Sequence, residues 1–249
     1  FRNVTGVQTC ALPISSVLAA PDITLLSLTE FAEQSYRICR ASSLPLLVDS
    51  DHGFGNALNA KRTAEELEQA GVAAMTIEDT LLPAAFGTAD ETQLIPLEEE
   101  VGKLKAAIAG RTDRDMAIIA RSSSNAITGL KDAVNRFKAY AKTGVDGLFL
   151  AGVNKVSDLD AIAAEVKIPL IIGNNGGDLG TPAELTKRGV RICLSGHHPF
   201  TAGLQAVYDC LKAIREGQPA KMPPRASGAF MKKLLKEADY DRWTKDFLG

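Results

Sequence analysis

The sequence predicts an α/β protein: a (β/α)8 barrel of parallel strands followed by a helical extension. Three observations point there. From Ser27 onward, helical patterns alternate with short, almost continuous apolar runs, as expected of parallel strands buried on both faces. The junctions Ala70-Gly71-Val72, Thr143-Gly144-Val145 and Arg188-Gly189-Val190 repeat one device, a glycine where a helix ends and a strand begins. The residue past a helix end often turns left-handed, which costs glycine nothing. Polar residues also gather at the C-terminal ends of the strands, where barrel enzymes keep their active sites. The alternative, an open nucleotide-binding sheet, lacks its phosphate signal, because no GxGxxG and no GxxxxGK followed by Ser or Thr occurs after a strand. The length of 249 residues suits one barrel of ~250.

The elements follow in order. Leu28 to Ala41 has helical spacing, with Leu28, Phe31, Ala32 and Tyr36 available to one face. Leu44 to Val48 reads as a strand, opened by Pro45 at a position where a missing N–H is tolerated. A helix around 62–70 ends at Gly71, and Val72 to Ile77 is the next strand. A helix over Leu97 to Ala109 precedes the strand Met116 to Ala120. The helix Lys131 to Lys142 precedes Gly147 to Ala151, and Val156 to Val166 precedes Pro169 to Ile172. A helix starting at Pro182 leads to Val190 to Leu194. These are six βα units, and parallel strands joined this way take right-handed crossovers. Phe230 to Phe247 is amphipathic and is expected to form one helix after the Pro-rich linker 219–224.

Composition excludes several function classes. The chain is 45% hydrophobic and 23% charged, ordinary values that leave enough apolar matter for a core. Lys and Arg total 28 against 30 Asp and Glu, without a basic run, which speaks against nucleic acid as a partner. No apolar stretch reaches the ~18 residues of a membrane span, so no membrane partner is expected. Four cysteines without metal-ligand spacing suit a reduced, cytoplasmic protein. Val4 to Ile14 coincides, residue for residue, with the translation of a common short-read sequencing adapter. Residues 1–14 are therefore expected to be non-native and are left out of the fold reasoning. The native chain is expected to resume at Ser15 or Ser16. The expected organisation is 1–14 as this segment, 15–216 as a partial barrel and 217–249 as linker and C-terminal helix.

Chemistry is concentrated at the strand ends. Asp49 and Asp51, two residues apart, leave one strand on the same side of the pleat. Paired carboxylates resist burial without a cation, and a hard ion such as Mg²⁺ suits them; a solvated loop with Asx turns is the alternative. Glu78 ends the next strand and could add a metal ligand, directly or through water, while Asp79 could N-cap the following turn. Arg121 emerges from a buried run beside these carboxylates as either a structural counter-charge or a clamp for an anionic substrate. Asn174 and Asn175 follow a fifth strand, where a plain polar loop is the favoured reading, and Ser195-Gly196-His197-His198 follow the last, where metal-free surface histidines are the alternative. Together these residues describe a Mg²⁺ site with an anion clamp for a small carboxylated substrate, suited to stabilising an enolate.

These residues resemble the isocitrate lyase/phosphoenolpyruvate mutase superfamily. Asp49-Ser50-Asp51-His52-Gly53-Phe54-Gly55-Asn56 is similar to its Asp-x-Asp-x-Gly-(Tyr/Phe)-Gly-Asn motif, Thr76-Ile77-Glu78-Asp79 to its Ile-Glu-Asp strand end, and Ile118-Ile119-Ala120-Arg121 to its Ile-x-Ala-Arg strand. Val17 to Asp22, Asn56 to Asn59 and Thr80 to Pro83 look closest to the oxaloacetate decarboxylase branch. Residues 80–100 hold no Cys, His or Lys, so the catalytic Cys loop of the isocitrate lyases and the Lys/Asn loop of the phosphonate-forming mutases are missing. The chain departs from the family pattern in carrying Ser122-Ser123-Ser124 after Arg121, and in lacking about the first two barrel strands.

The resemblance implies a (β/α)8 TIM barrel of the phosphoenolpyruvate mutase type and a carbon–carbon lyase that decarboxylates oxaloacetate to pyruvate and CO₂ through a metal-stabilised enolate. It implies Mg²⁺, with Mn²⁺ as a substitute, at a site whose principal residue is Asp49, with Asp51 and Glu78 near the ion mainly through water. Arg121 and His197 are the implied catalytic residues, with Asp51 and Asn174 also contacting a small 2-keto dicarboxylate. A homo-oligomer, tetramer or dimer with a swapped C-terminal helix, is implied as well. The competing readings are other 2-keto acid or phosphonate chemistry (phosphonopyruvate hydrolase or mutase, substituted-malate lyase) and a non-catalytic fragment.

Overall fold

The computed structural model describes residues 7–9 (backbone only), 14–16, 19–84, 86–88, 91–173 and 178–249. The chain divides into two compact units, Phe1–Gly196 and His197–Gly249. The first holds a parallel sheet whose strands pair strictly in chain order: β1 (Val7–Thr9), β2 (Leu46–Asp49), β3 (Ala74–Glu78), β4 (Ala117–Ser122), β5 (Gly147–Leu150), β6 (Leu170–Ile172) and β7 (Val190–Cys193). Sequential parallel order with a helix between strands is the winding of a barrel, not of a doubly wound sheet. β2 to β7 are the six expected strands. β1 was not expected, since it lies within the segment left out of the fold reasoning; it pairs with β2 from Val7–Leu46 to Thr9–Val48. Sheet pairing uses backbone groups, so an open strand edge accepts an extended neighbour with little regard to its side chains.

The helices are α1 (Leu28–Ala41), α2 (Ala57–Gln69), α3 (Leu97–Gly110), the single turn α4 (Ser124–Ile127), α5 (Leu130–Ala141), α6 (Val156–Glu165) and α7 (Pro182–Lys187). Three start on capping boxes, Ser27 with Glu30, Asn56 with Asn59 and Thr181 with Glu184, each satisfying orphan N–H groups of the first turn. α2 begins at Ala57, earlier than the apolar pattern suggests, because the Asn56 side chain accepts from Leu58 N at 2.9 Å and fixes the start. Gly71, Gly144 and Gly189 all take positive φ, as the repeated junction requires.

Alternation along the strands gives the sheet two apolar faces. Val48, Met75, Ile77, Ile118, Ala120, Leu148, Leu150 and Ile172 belong to the large core, which also takes in residues of every helix from α1 to α7 except α4. Ile119, Phe149 and Ile171 form a smaller cluster with Leu47, Ala117, Ala151, Ile192 and Leu194. Polar side chains at the C-terminal ends of β2, β3 and β4 lie in register with this second set.

The second unit contains α8 (His198–Arg215), a short 3-10 turn at Pro219–Lys221, α9 (Gly228–Leu234) and α10 (Glu237–Leu248). α8 groups here, whereas the sequence placed residues up to 216 with the barrel. The expected single helix from Phe230 to Phe247 is two helices, broken at Lys236, which takes φ 56°. No described helix is long and apolar enough to cross a membrane.

Candidate active site

The register of the sheet assembles the site. Asp49 pairs with Thr76, and Thr76 with Ile119, in one row across β2, β3 and β4. One row further on, Glu78 pairs with Arg121 and Arg121 with Phe149 across β3, β4 and β5. Since residues two apart share a face, Asp49, Thr76, Glu78, Arg121 and Phe149 all project to one side at the C-terminal ends of the strands. Thr76 Oγ1 donates to Asp49 Oδ1 at 2.9 Å. Arg121 donates to Asp49 Oδ2 and sets its Nε 3.0 Å from Glu78 Oε2, an ion pair without hydrogen-bond alignment at that N–H. Its guanidinium carbon lies 5.4 Å from the Phe149 ring centroid, within cation–π range.

Asp51 is carried by the turn after β2. Its carbonyl accepts from Glu78 N at 2.8 Å, and Gly53 N donates to Ser50 O at 2.8 Å. Gly53 takes φ +76°, and a Cβ there would meet Ala60 Cβ at 3.1 Å; Thr63 Oγ1 donates to its carbonyl at 3.1 Å. The turn is thus tied to α2 by a glycine that no larger residue replaces without strain.

The electrostatics are frustrated. Burial, then the charges of Asp49, Asp22 and Glu78, push the Asp51 carboxyl up to about 8, against the opposing pull of Arg121. Burial also raises Glu78; Arg121 opposes this, and Asp49 and Asp79 add to it. Burial works against the charge on Arg121, but Asp49 and Glu78 more than offset it and hold its pKa above the ordinary value. The cluster therefore carries more carboxylate than its guanidinium neutralises. Among the described residues, no group of three or more His, Cys, Asp and Glu stands as a ready metal cage. The donor set is nonetheless all hard oxygen, and surplus buried carboxylate is the condition a divalent cation relieves.

Beneath this layer lies a second polar cluster that sequence reasoning missed. Asp79, expected as a helix cap, is fully buried; its Oδ2 accepts from Tyr140 Oη at 2.7 Å, Ser122 Oγ at 2.8 Å and Arg136 at 3.1 Å. Ser122 Oγ also lies 2.8 Å from Ser124 Oγ and accepts from Ser124 N at 3.1 Å, which gives two of the serines after Arg121 a structural use. Glu100 and Lys103 on α3 are both buried and pair at 3.6 Å. Burial, with Lys103 adding, holds His52 down at about 4, so that it stays neutral.

Of the expected site residues, Asp49, Glu78 and Arg121 come together directly, and Asp51 joins them through its charge. His197 belongs to the second unit, at the N-cap of α8, where its carbonyl accepts from Thr201 N at 3.0 Å. Asn174 lies outside the described residues.

Comparison with known proteins identifies the family. A sequence profile of the phosphoenolpyruvate phosphomutase family matches residues 2–215. The chain is 51% identical over 235 residues to the oxaloacetate decarboxylase of Bradyrhizobium diazoefficiens, covering 94% of this chain and 81% of that protein. It is 41% identical over 245 residues to the oxaloacetate decarboxylase of Paraburkholderia xenovorans, covering 98% and 82%. A phosphonopyruvate hydrolase solved with oxalate and Mg²⁺ superposes with a TM-score of 0.84 at 27% identity, covering 98% of this chain and 87% of that one. The phosphoenolpyruvate phosphomutase of Streptomyces platensis subsp. rosaceus gives 0.85 at 25% identity, covering 98% and 88%. A parallel sheet in barrel order, with Asp49, Glu78 and Arg121 joined at its C-terminal edge, and these similarities show that the chain is a lyase-type enzyme belonging to the phosphoenolpyruvate mutase/isocitrate lyase superfamily, where it groups with the oxaloacetate decarboxylases.

Proposed function

We propose that this protein decarboxylates oxaloacetate to pyruvate and CO₂ with Mg²⁺, or Mn²⁺, held by Asp49, Asp51 and Glu78. The observation that carries the reading is the surplus of carboxylate around a single guanidinium, Arg121, at the C-terminal edge of the sheet. A bound divalent ion would supply a Lewis acid for the 2-keto oxygen of the substrate. Asp49 is pre-set for this by Thr76, which fixes one carboxylate oxygen. Arg121 is held between Asp49, Glu78 and Phe149, so it offers a positive charge without reorganisation as negative charge grows on the substrate. In the reaction the C3–C4 bond breaks, its electron pair passes toward the C2 oxygen as an enolate, and CO₂ departs. The enolate then takes one proton at C3. The Asp79 network keeps the strand ends that bear Glu78 and Arg121 in place.

The test is pyruvate release from oxaloacetate, with phosphonopyruvate and 2,3-dimethylmalate as competing substrates. Turnover of oxaloacetate is expected to vanish in EDTA and return with Mg²⁺ or Mn²⁺. Asp49→Asn and Arg121→Met are expected to lower kcat/KM by about 100-fold or more, the scale of removing one group that stabilises developing charge. Preference for phosphonopyruvate or dimethylmalate would reassign the substrate, and metal-independent turnover would defeat the proposal. His197→Ala, assayed alongside, tests the role that the family resemblance implies for that residue.

A homo-oligomer belongs to the same proposal. It is supported by the second unit, which exposes Leu204, Val207, Tyr208 and Leu211 on α8, and Tyr240, Trp243, Phe247 and Leu248 on α10. The compartment proposed is the cytoplasm, which suits the free thiols of Cys39, Cys193 and Cys210.

A further inference from the structure

The opposite edge of the sheet carries a second feature that decarboxylation does not use. Where β6 and β7 begin, a cavity of about 340 Å³ is lined by Lys167, Lys187, Arg188 and Arg191, together with apolar and backbone atoms from the ends of α6 and α7. No acidic side chain lines it among the described residues. Two of the four cations are fixed in place. Arg188 Nε donates to Asp160 Oδ1 at 2.6 Å, and Arg191 donates to the carbonyls of Thr186 at 3.0 Å and Val190 at 3.1 Å.

The second observation is in the sheet itself. Leu170 pairs with Val190, but Ile171 pairs with Ile192, so Arg191 is an extra residue on β7. A bulge of this kind breaks the alternation of the strand and re-aims one side chain. Here the side chain it re-aims is an arginine that lines the cavity. Of the neighbouring acids, Asp160 offsets the charge of Arg188, while Glu184 is held in its capping box with Thr181 and Glu165 pairs with Lys138 at 2.7 Å, both still within electrostatic reach of the cavity's cations.

We propose that this cavity is a binding site for a small polyanion, a di- or tricarboxylate or a phosphate, separate from the site at Asp49, Glu78 and Arg121. Fixed guanidinium groups meet carboxylates and phosphates in a fork geometry, and lysines add charge without fixed direction. The volume suits a compact anion of that class. The ordinary role for cations at helix C-termini, complementing the ends of α6 and α7, predicts no saturable binding.

The test is calorimetric titration of the full chain, in EDTA and at low ionic strength, with citrate and with pyrophosphate as probes. Saturable binding with one site per chain is expected, weakening as salt rises. Arg191→Gln is expected to weaken it about tenfold, the scale of one charge-assisted hydrogen bond. Lys187→Gln, at an exposed helix end, provides a second variant should Arg191→Gln fold poorly. Arg121→Met is expected to leave the binding intact. Citrate binding above pyrophosphate would identify carboxylates as the ligand class, and the reverse would identify phosphates. Binding abolished by Arg121→Met and kept in both cavity variants would place the anion in the active site and overturn the proposal. Heats that never saturate would overturn it too.

Discussion

Glu100 is fully buried, both of its carboxylate oxygens lack a hydrogen-bond partner among the described residues, and Lys103 stands 3.6 Å away. Burial pushes the carboxyl up to about 8; Lys103 opposes this, and the charges of Asp79 and Glu78 add to it. A carboxyl raised in the folded state holds its proton where the unfolded chain has lost it, so stability falls as pH rises between about 4.5 and 8. Glu100→Gln keeps the shape and removes the titration. Urea melts at pH 5 and pH 8 are therefore expected to show a loss in the natural protein that is smaller in the variant by a few kcal/mol, the remainder coming from Asp51, which is raised to about 8 as well; equal losses in the two would sink the assignment. Tyr140→Phe removes the 2.7 Å bond to Asp79 and is expected to cost about 1–3 kcal/mol in the same melts, because a buried acceptor loses a donor. The sequence showed Asp49, Glu78 and Arg121 because each ends an apolar run, where a charge stands out. It hid Glu100 because Glu98-Glu99-Glu100 looks like the solvated first turn of a helix, and a one-residue rotation of the helix decides which of the three is buried.

The elements bear a different kind of information. α2 and α3 pack so closely that a Cβ added at Gly110 would lie 2.4 Å from the Lys61 carbonyl oxygen, a backbone atom that cannot swing away. Gly102, in the same helix, has nothing within 4 Å of such a Cβ. Gly110→Ala is expected to lower Tm, while Gly102→Ala is expected to add up to about 1 kcal/mol through helix propensity alone. Thermal melts of the two variants check both signs, and a stabilised Gly110→Ala would refute the close approach. Gly71, Gly144 and Gly189 were legible because a left-handed turn between helix and strand demands glycine, but Gly110 was not, since contact between helices leaves no local signature. Most helix limits were legible within a residue or so because the apolar periodicity stops there; the start of α2 was not, since it is fixed by the Asn56 cap ahead of the apolar pattern. The break at Lys236 was not: no glycine or proline marks it, and the apolar pattern continues on both sides.

At the scale of the whole molecule, the barrel order of β2 to β7 could be read from the alternation of elements, because each βα unit is a local pattern and right-handed crossovers leave few topologies. β1 could not, because the pairing of Val7–Thr9 with β2 depends on an available edge and not on the residues that fill it. Exposure in the second unit follows the same logic in reverse. The amphipathic pattern of its helices promises a buried face, yet Trp243 is 42% exposed, Phe247 77% and Leu248 83%. Aromatic side chains bury roughly 150–250 Å² each in cores and interfaces, and leaving several in water forgoes a few kcal/mol apiece. A second copy of the chain that takes up these helices recovers that free energy, which is why the homo-oligomer is proposed. Because these side chains are already exposed in the single chain, replacing them with charge leaves the fold of the chain intact. Trp243→Glu with Phe247→Glu is therefore expected to reduce the assembled fraction in sedimentation velocity, while far-ultraviolet circular dichroism stays unchanged. Natural protein that sediments as a monomer at every concentration would rule the assembly out.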